Sequence, residues 1–318
     1  MKIVVLDGFA MAQNDLSWEG MRKLGEVVVY DHDEPGKVVE RLEGADIAIT
    51  NKVVLDRNVI SQLPCLKMIA VAATGYNVVD CKAASEHGIT VANAPAYSTD
   101  SVAQTVFALL LNITNHIQHY ADENRNGRWS RSKDFCYMDY AWTELSGKTF
   151  GVIGFGNIGE KVARIAQSFG MRVVVYTHRS QNELPEGVLK VEKEQLMKDS
   201  DIISLHCPLT EQSSKTINSE SISLMKKSVI IINTGRGGLV DEEAVAEALK
   251  SGRIAAFGAD VLTSEPPHAD NPILNAPNAF VTPHIAWASL EARQRLMDIL
   301  IANIKAYIDG KPINVVNG

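Results

Sequence analysis

The chain has 318 residues, 46% of them hydrophobic and 22% charged, and 31 Lys and Arg against 38 Asp and Glu leave a net charge of −7. That composition describes a folded globular chain of about two domains, at roughly 100–200 residues each, and excludes disorder or a disulfide-stapled mini-protein. A mildly acidic chain without a basic block lacks the phosphate-neutralising charge that nucleic-acid binding needs, so no nucleic-acid partner is expected. The start, Met1-Lys2-Ile3-Val4-Val5-Leu6-Asp7-Gly8, is a short apolar run without the charged region, long apolar stretch and cleavage site of a signal peptide. No other stretch has the apolar length of a membrane span, and the expectation is a cytoplasmic protein with no membrane contact. Cys65, Cys81, Cys136 and Cys207 are scattered without metal-ligand spacing and read as reduced thiols, so no metal site is expected.

Apolar runs at 3–6, 27–30, 47–50, 68–72 and 90–92 have few polar interruptions, as strands buried on both faces do. Helices are predicted between them at 38–42, 57–62 and 81–87. A long helix follows the capping cluster Ser98-Thr99-Asp100-Ser101, with Val102, Val106, Leu109, Leu110, Ile113 and Ile117 at helical spacing. A second strand series takes in 150–153, 172–176, 202–206, 229–233, 255–258 and 280–282. A second long helix begins near Ser289 and sets Leu296, Met297, Leu300, Ile301, Ile304 and Ile308 on one face, until Gly310 and Pro312 stop it. Neither long helix fits inside a strand series. The reading is an α/β protein of two doubly wound parallel-sheet domains joined by these two helices. Residues 1–98 with 289–318 form one domain, residues 99–288 the other, and ligand is expected in the cleft between them.

Directly after the strand at 150–153 stands Gly154-Phe155-Gly156-Asn157-Ile158-Gly159. Gly-x-Gly-x-x-Gly alone is a weak signal, but here it joins an apolar strand to a helix-like segment carrying Val162, Ala163, Ile165 and Ala166. In that setting the first glycine permits the turn, the second admits a pyrophosphate, and the third lets helix and strand pack. Polar segments then follow three later strands: Asn233-Thr234-Gly235-Arg236-Gly237-Gly238, Gly258-Ala259-Asp260-Val261-Leu262-Thr263-Ser264-Glu265-Pro266-Pro267, and Thr282-Pro283-His284-Ile285-Ala286-Trp287. An Arg between glycines suits bidentate capture of a carboxylate, a Glu before Pro-Pro sits on a stiff loop, and a His titrates near neutrality. Each alone is more often structural. All three at strand ends behind a dinucleotide turn point to a catalytic group of Arg236, Glu265 and His284.

With these motifs, and with Ala72-Ala73-Thr74-Gly75-Tyr76-Asn77-Val78-Val79-Asp80, Asn93-Ala94-Pro95-Ala96-Tyr97-Ser98 and Ser101-Val102-Ala103-Gln104, the chain resembles the NAD(P)-dependent D-isomer-specific 2-hydroxyacid dehydrogenases. More narrowly it is similar to their glycerate dehydrogenase/hydroxypyruvate reductase branch, over essentially the whole length. The resemblance implies a flavodoxin-like substrate domain, a Rossmann cofactor domain, and an oxidoreductase acting on hydroxypyruvate, glyoxylate or D-glycerate. It places catalysis on Arg236, Glu265 and His284, and carboxylate binding on the backbone of Ala73, Thr74 and Gly75. The cofactor site takes in Gly154, Phe155, Gly156, Asn157, Ile158, Gly159, Thr177, His178, Arg179, His206, Cys207, Pro208, Thr234, Gly235, Asp260 and Thr105. A homodimer through the cofactor domain is implied as well. Chemistry agrees: Arg236 anchors the carboxylate and polarises the carbonyl, the nicotinamide supplies hydride, and His284 gives the proton beside a Glu265 carboxylate that favours imidazolium. The alternative from another class is a nicotinamide-sensing, non-catalytic binding protein related to the same family.

Two features depart from the plain pattern. A fold that selects NAD carries an acid at the end of its second strand, about 20 residues past the glycines; here Thr177-His178-Arg179-Ser180 stands there. With no acid to repel a 2′-phosphate, and with Arg179, His178 and two hydroxyls able to receive one, NADP(H) is modestly favoured over NAD(H). Tyr137, Tyr140 and Trp142 lie in a loop without core periodicity, which reads either as an ordinary surface loop or as part of the homodimer contact.

Overall fold

In a computed structural model, which describes residues 1–13, 15–34 and 36–318, the chain divides into two compact units, Met1–Ser98 with Ala288–Gly318, and Thr99–Trp287. The first unit runs β1 (Lys2–Val5), α1 (Phe9–Ala12), α2 (Glu19–Arg22), β2 (Glu26–Val29), α3 (Val38–Arg41), β3 (Ile47–Thr50), α4 (Arg57–Ile60), β4 (Met68–Val71), α5 (Cys81–Glu86) and β5 (Thr90–Ala92). Its five strands form a parallel sheet in the order β2-β1-β3-β4-β5, the flavodoxin-like order. The central strands β3 and β4 are buried at every residue, which is why their sequences show no polar alternation.

The second unit opens with α6 (Thr99–Asn115) and α7 (Ile117–Arg125). It continues through β6 (Thr149–Ile153), α8 (Asn157–Ser168), β7 (Arg172–Tyr176), β8 (Val188–Lys190), α9 (Lys193–Asp199), β9 (Ile202–Leu205), α10 (Ser219–Leu224), β10 (Ile230–Asn233), α11 (Glu242–Lys250), β11 (Ala256–Ala259) and β12 (Ala279–Val281). Its seven-stranded sheet has the order β12-β11-β10-β9-β6-β7-β8, every pairing parallel. Chain order reverses between β6 and β9, so the turn after β6 opens at the switch point where such sheets bind ligands.

Neither long helix lies between strands of one sheet, and each packs within one unit, α6 in the second and α12 in the first. α6 packs Val102, Val106, Leu109, Leu110 and Ile113 as buried residues against β10, β11 and α8. Gly258 makes this approach possible, since a Cβ there would stand 3.3 Å from Leu109 Cβ and 2.8 Å from Ile232 Cδ1. The predicted continuation to Ile117 fails. His116 adopts φ 51° and ends α6, and Ile117 starts the separate polar helix α7, 57% exposed. α12 (Leu290–Ile308) is N-capped by Ser289, which accepts from Ala292 N at 3.2 Å, and packs in the first unit against β4 and α1. Leu296, Met297, Leu300 and Ile304 are buried, whereas Ile308, expected on the same face, is exposed in the last turn. The tail then pairs with β5 through Val316 N to Val91 O at 2.9 Å.

All four cysteines are free, and burial raises the Cys207 thiol above its ordinary value, which keeps it protonated. Among the described residues no helix is long and apolar enough to cross a membrane, and no group of three or more His, Cys, Asp or Glu is placed to hold a metal ion.

Candidate active site

The glycine turn is built by close approach. Gly154 has φ 92° and donates its N–H to Tyr176 O at 3.0 Å; a Cβ there would run into the Cys207 amide and the His206 carbonyl carbon. A Cβ on Gly159 would collide with Gly154 O, so this glycine lets α8 lie against the turn. Gly156 caps α8, and a Cβ there would meet no atom of the chain within 4 Å. Packing therefore does not demand glycine at 156, whereas a pyrophosphate approaching the helix N-terminus does. Phe155, between the first two glycines of the turn, is buried.

Beside it, at the end of β9, His206 Nε2 hydrogen-bonds Ser204 Oγ at 2.8 Å. Burial pushes the His206 pKa down to about 3, so the ring is neutral at physiological pH. At the end of β10 the Thr234 hydroxyl is buried with no hydrogen-bond partner among the described residues. An orphaned buried hydroxyl at the mouth of a dinucleotide sheet is a group that a bound ligand satisfies. Together with the Gly154 and Gly156 geometry, it leaves polar, uncrowded space where a dinucleotide phosphate fits. Thr105 is less informative, since its hydroxyl donates to Ser101 O at 3.1 Å within α6.

The three strand-end segments are tied to one another. Asn233 receives Gly235 N at 3.0 Å and donates to Arg236 O at 2.9 Å, which folds the loop that carries Arg236. Arg236 is exposed, with Nη1 on Gly235 O at 2.8 Å, and no carboxylate pairs with it among the described residues. A Cβ on Gly237 would overlap the backbone of Leu262 and Thr263, so the arginine loop lies directly on the loop that leads to Glu265. Glu265 accepts from Leu262 N at 3.2 Å through Oε1, and its Oε2 lies 2.6 Å from His284 Nδ1. A carboxylate on Nδ1 leaves Nε2 to act on a substrate.

His284 has φ 53°, a left-handed conformation that costs a non-glycine residue on the order of 1 kcal/mol. Asp260 holds it there. Its backbone oxygen accepts from His284 N at 2.8 Å, and its buried carboxylate accepts from Thr282 Oγ1 at 2.6 Å, Ile285 N at 2.9 Å and Ala286 N at 2.8 Å. Asp260 is thus the anchor of the histidine loop, a part that the sequence reading, which placed it on the nicotinamide side, did not supply. Glu242 was missed altogether: it accepts from Thr263 N at 2.6 Å and Asn271 Nδ2 at 2.7 Å, and so braces the Glu265 loop from the first turn of α11.

At the end of β7, Thr177 Oγ1 receives Arg179 N at 3.2 Å. Of the two hydroxyls expected to be open to a phosphate, the Ser180 hydroxyl instead donates to Glu183 at 2.7 Å. In the first unit Thr74 Oγ1 donates to Ala94 O at 2.9 Å, Ala94 N to Ala73 O at 3.0 Å, and Asn93 Nδ2 to Thr74 O at 2.8 Å, which fixes the Ala73-Thr74-Gly75 turn against the segment after β5.

A parallel sheet with a glycine turn at its switch point and polar loops on the neighbouring strand ends defines a dinucleotide-binding α/β protein. The chain belongs to the D-isomer specific 2-hydroxyacid dehydrogenases, whose NAD binding domain its residues 107–286 match. It is 45% identical to a hydroxypyruvate reductase of Blautia hydrogenotrophica over 321 aligned residues, covering 100% of both chains. It is also 45% identical to a glycerate dehydrogenase of Methylorubrum extorquens, covering 89% of this chain and 88% of that one. Among solved structures, an acyclic imino acid reductase (Bsp5) in complex with NADPH and D-Arg superposes with TM-score 0.87 at 34% identity, covering 99% of this chain and 100% of that one. The protein is accordingly an oxidoreductase that moves a hydride between a nicotinamide cofactor and a small 2-hydroxy acid. Enzyme relatives matched over the whole chain favour this over the cofactor-sensing alternative.

Proposed function

We propose that the enzyme reduces hydroxypyruvate or glyoxylate and, in reverse, oxidises D-glycerate. The observation that carries this reading is the 2.6 Å hydrogen bond of His284 to Glu265, in a chain whose 45%-identical relatives are named for hydroxypyruvate and glycerate. Arg236 pairs with the substrate carboxylate and polarises the keto oxygen. The Ala73-Thr74-Gly75 turn of the first unit offers backbone N–H groups of the kind that hold a carboxylate. A reduced nicotinamide, when bound, supplies the hydride. His284 supplies the proton: its Nε2–H bond breaks as the O–H bond of the product forms, Nδ1–H stays on Glu265, and the imidazole is reprotonated from solvent.

The cofactor is taken to lie along Gly154, Phe155, Gly156, Asn157, Ile158 and Gly159, with Thr177, His178, Arg179, His206, Cys207, Pro208, Thr234, Gly235, Asp260 and Thr105 around it. Thr177 in place of an acid, with Arg179 close by, supports NADP(H) over NAD(H). Turnover of a panel of 2-keto acids with both reduced cofactors tests the reading. Hydroxypyruvate or glyoxylate should rank first and NADPH should exceed NADH; a preference for pyruvate or for a keto acid with a longer side chain would overturn the substrate assignment.

A homodimer is supported by the segment after α7. There Tyr137 and Tyr140 pack on Tyr120 and His116, and Phe135, Met138 and Trp142 are left 89%, 81% and 62% exposed. Apolar side chains of that size and exposure are what a partner copy covers. Light scattering at assay concentration should give twice the monomer mass of 34.7 kDa; an active monomer would remove this part.

A further inference from the structure

We infer that Glu160 is a specificity-determining residue, whose carboxylate competes with the 2′-phosphate of a cofactor for the Arg179 guanidinium. The inference rests on the reading above, in which Arg179 faces the 2′ position. Glu160 stands in the first turn of α8, one residue past the last glycine of the turn. Its Oε2 lies 3.4 Å from Arg179 Nη1, and its Oε1 lies 2.5 Å from Arg164 Nη2. Arg179 is held at the turn by its backbone, through Thr177 Oγ1 on its N–H and Lys190 Nζ on its C=O at 2.8 Å. Its guanidinium carbon is 5.7 Å from the centroid of Phe155, which lies between two of the turn's glycines.

The consequence follows from charge. A fold that selects NAD sets an acid at the end of the second strand; here that position is Thr177, and a carboxylate reaches the same neighbourhood from the helix instead. A helix dipole accounts for an acid in a first turn, but not for its contact with an arginine 19 positions away on the next strand end. While Glu160 holds Arg179, the guanidinium is already partly neutralised, and a 2′-phosphate meets a weaker cation. A 2′-hydroxyl carries no charge and is nearly indifferent to this. Ser180 does not compensate, because its hydroxyl and its amide are both on Glu183. Glu160 therefore works against the phosphate that Arg179 attracts, and the pair moderates discrimination between the two cofactors.

Both side chains of the pair are partly exposed, at 39% for Arg179 and 28% for Glu160, so the effect is modest and weakens with salt. The test is calorimetric affinity for NADP⁺ and NAD⁺, and for the unreactive fragments 2′,5′-ADP and 5′-AMP, on wild type, Glu160→Gln, Arg179→Ala and the double variant. Glu160→Gln should tighten NADP⁺ and 2′,5′-ADP by about twofold to fivefold, with NAD⁺ and 5′-AMP held within about 1.5-fold. In the Arg179→Ala background the same change should do nothing. If Arg179→Ala weakens NADP⁺ but Glu160→Gln leaves the ratio unmoved, the inference fails and the cofactor reading stands. If Arg179→Ala itself leaves NADP⁺ affinity unchanged, the cofactor reading fails and takes the inference with it. An equal gain with and without Arg179 would mean direct repulsion rather than competition, and would also overturn it.

Discussion

Arg236 reaches out from a loop that Gly237 presses onto the backbone of Leu262 and Thr263, and among the described residues no carboxylate pairs with it, which under the proposed function leaves it for the substrate. Arg236→Ala removes the charged fork from substrate binding and from the transition state alike. A lost charge-assisted pair in a desolvated site costs about 2–5 kcal/mol, so kcat/KM should fall by about 30-fold to several thousand-fold. Near-native efficiency in the purified variant would make Arg236 structural. Under the proposed function, His284→Ala removes the proton donor alone. Its kcat should drop by about 10²–10⁴-fold, with NAD(P)H affinity by fluorescence titration within about twofold, and an equal loss of cofactor affinity would contradict the role. These residues could be picked out in the sequence because each follows an apolar strand in a segment of unusual composition. Asp260 as an anchor could not be read that way, since its donors Ile285 and Ala286 lie 25 and 26 positions away and meet it only through the pairing of β11 with β12.

Elements carry the positions that single residues exploit. Strands with continuous apolar runs were legible because burial on both faces leaves its mark on every residue. β8 was not, since two of its three residues are exposed, and the end of α6 was not, because only the left-handed backbone of His116 announces it. α11 shows what a short helix adds to the site. It is N-capped by Asp241, which accepts from Ala244 N at 3.3 Å, and its first residue, Glu242, grips the 263–271 segment. Glu242→Ala should loosen the loop that presents Glu265 and lower kcat by about tenfold, the size expected for a lost charged hydrogen bond of about 1.5 kcal/mol. KM for NAD(P)H should hold, and Glu242→Gln, which keeps an acceptor for Thr263 N, should recover most of the rate. A loss of thermal stability in the alanine variant with kcat intact would assign Glu242 to folding alone.

On the scale of the whole molecule, both sheets are parallel and wound on both faces, an arrangement that alternating strands and helices make readable in advance. The charge states inside such sheets are not readable, because they depend on what the folded chain excludes from water. His206 is the clearest case. Its pKa is about 3 in the folded chain against an ordinary value of 6.5, with burial as the cause. Between those two values the unfolded chain binds a proton that the folded chain refuses, so the stability from this residue is present above pH 6.5 and declines as pH falls toward 3. One proton corresponds to a slope of about 1.4 kcal/mol per pH unit. His116, also held down by burial, adds in the same direction. Asp201 and Asp241, held low by Lys226 and Lys215, lose their contribution only below the ordinary carboxylate range. Urea midpoints measured at pH 7, 6 and 5 sample the interval in which histidines titrate. Comparison with a His206 variant separates its share from the opposing one of Asp7, whose carboxyl burial holds above its ordinary value. Wild type should weaken steadily across that interval, and His206→Asn, which retains a polar group for Ser204, should flatten the decline without abolishing it. Parallel curves for the two proteins would show that His206 takes up its proton in the folded state, and the neutral ring beside the glycine turn would have to be given up.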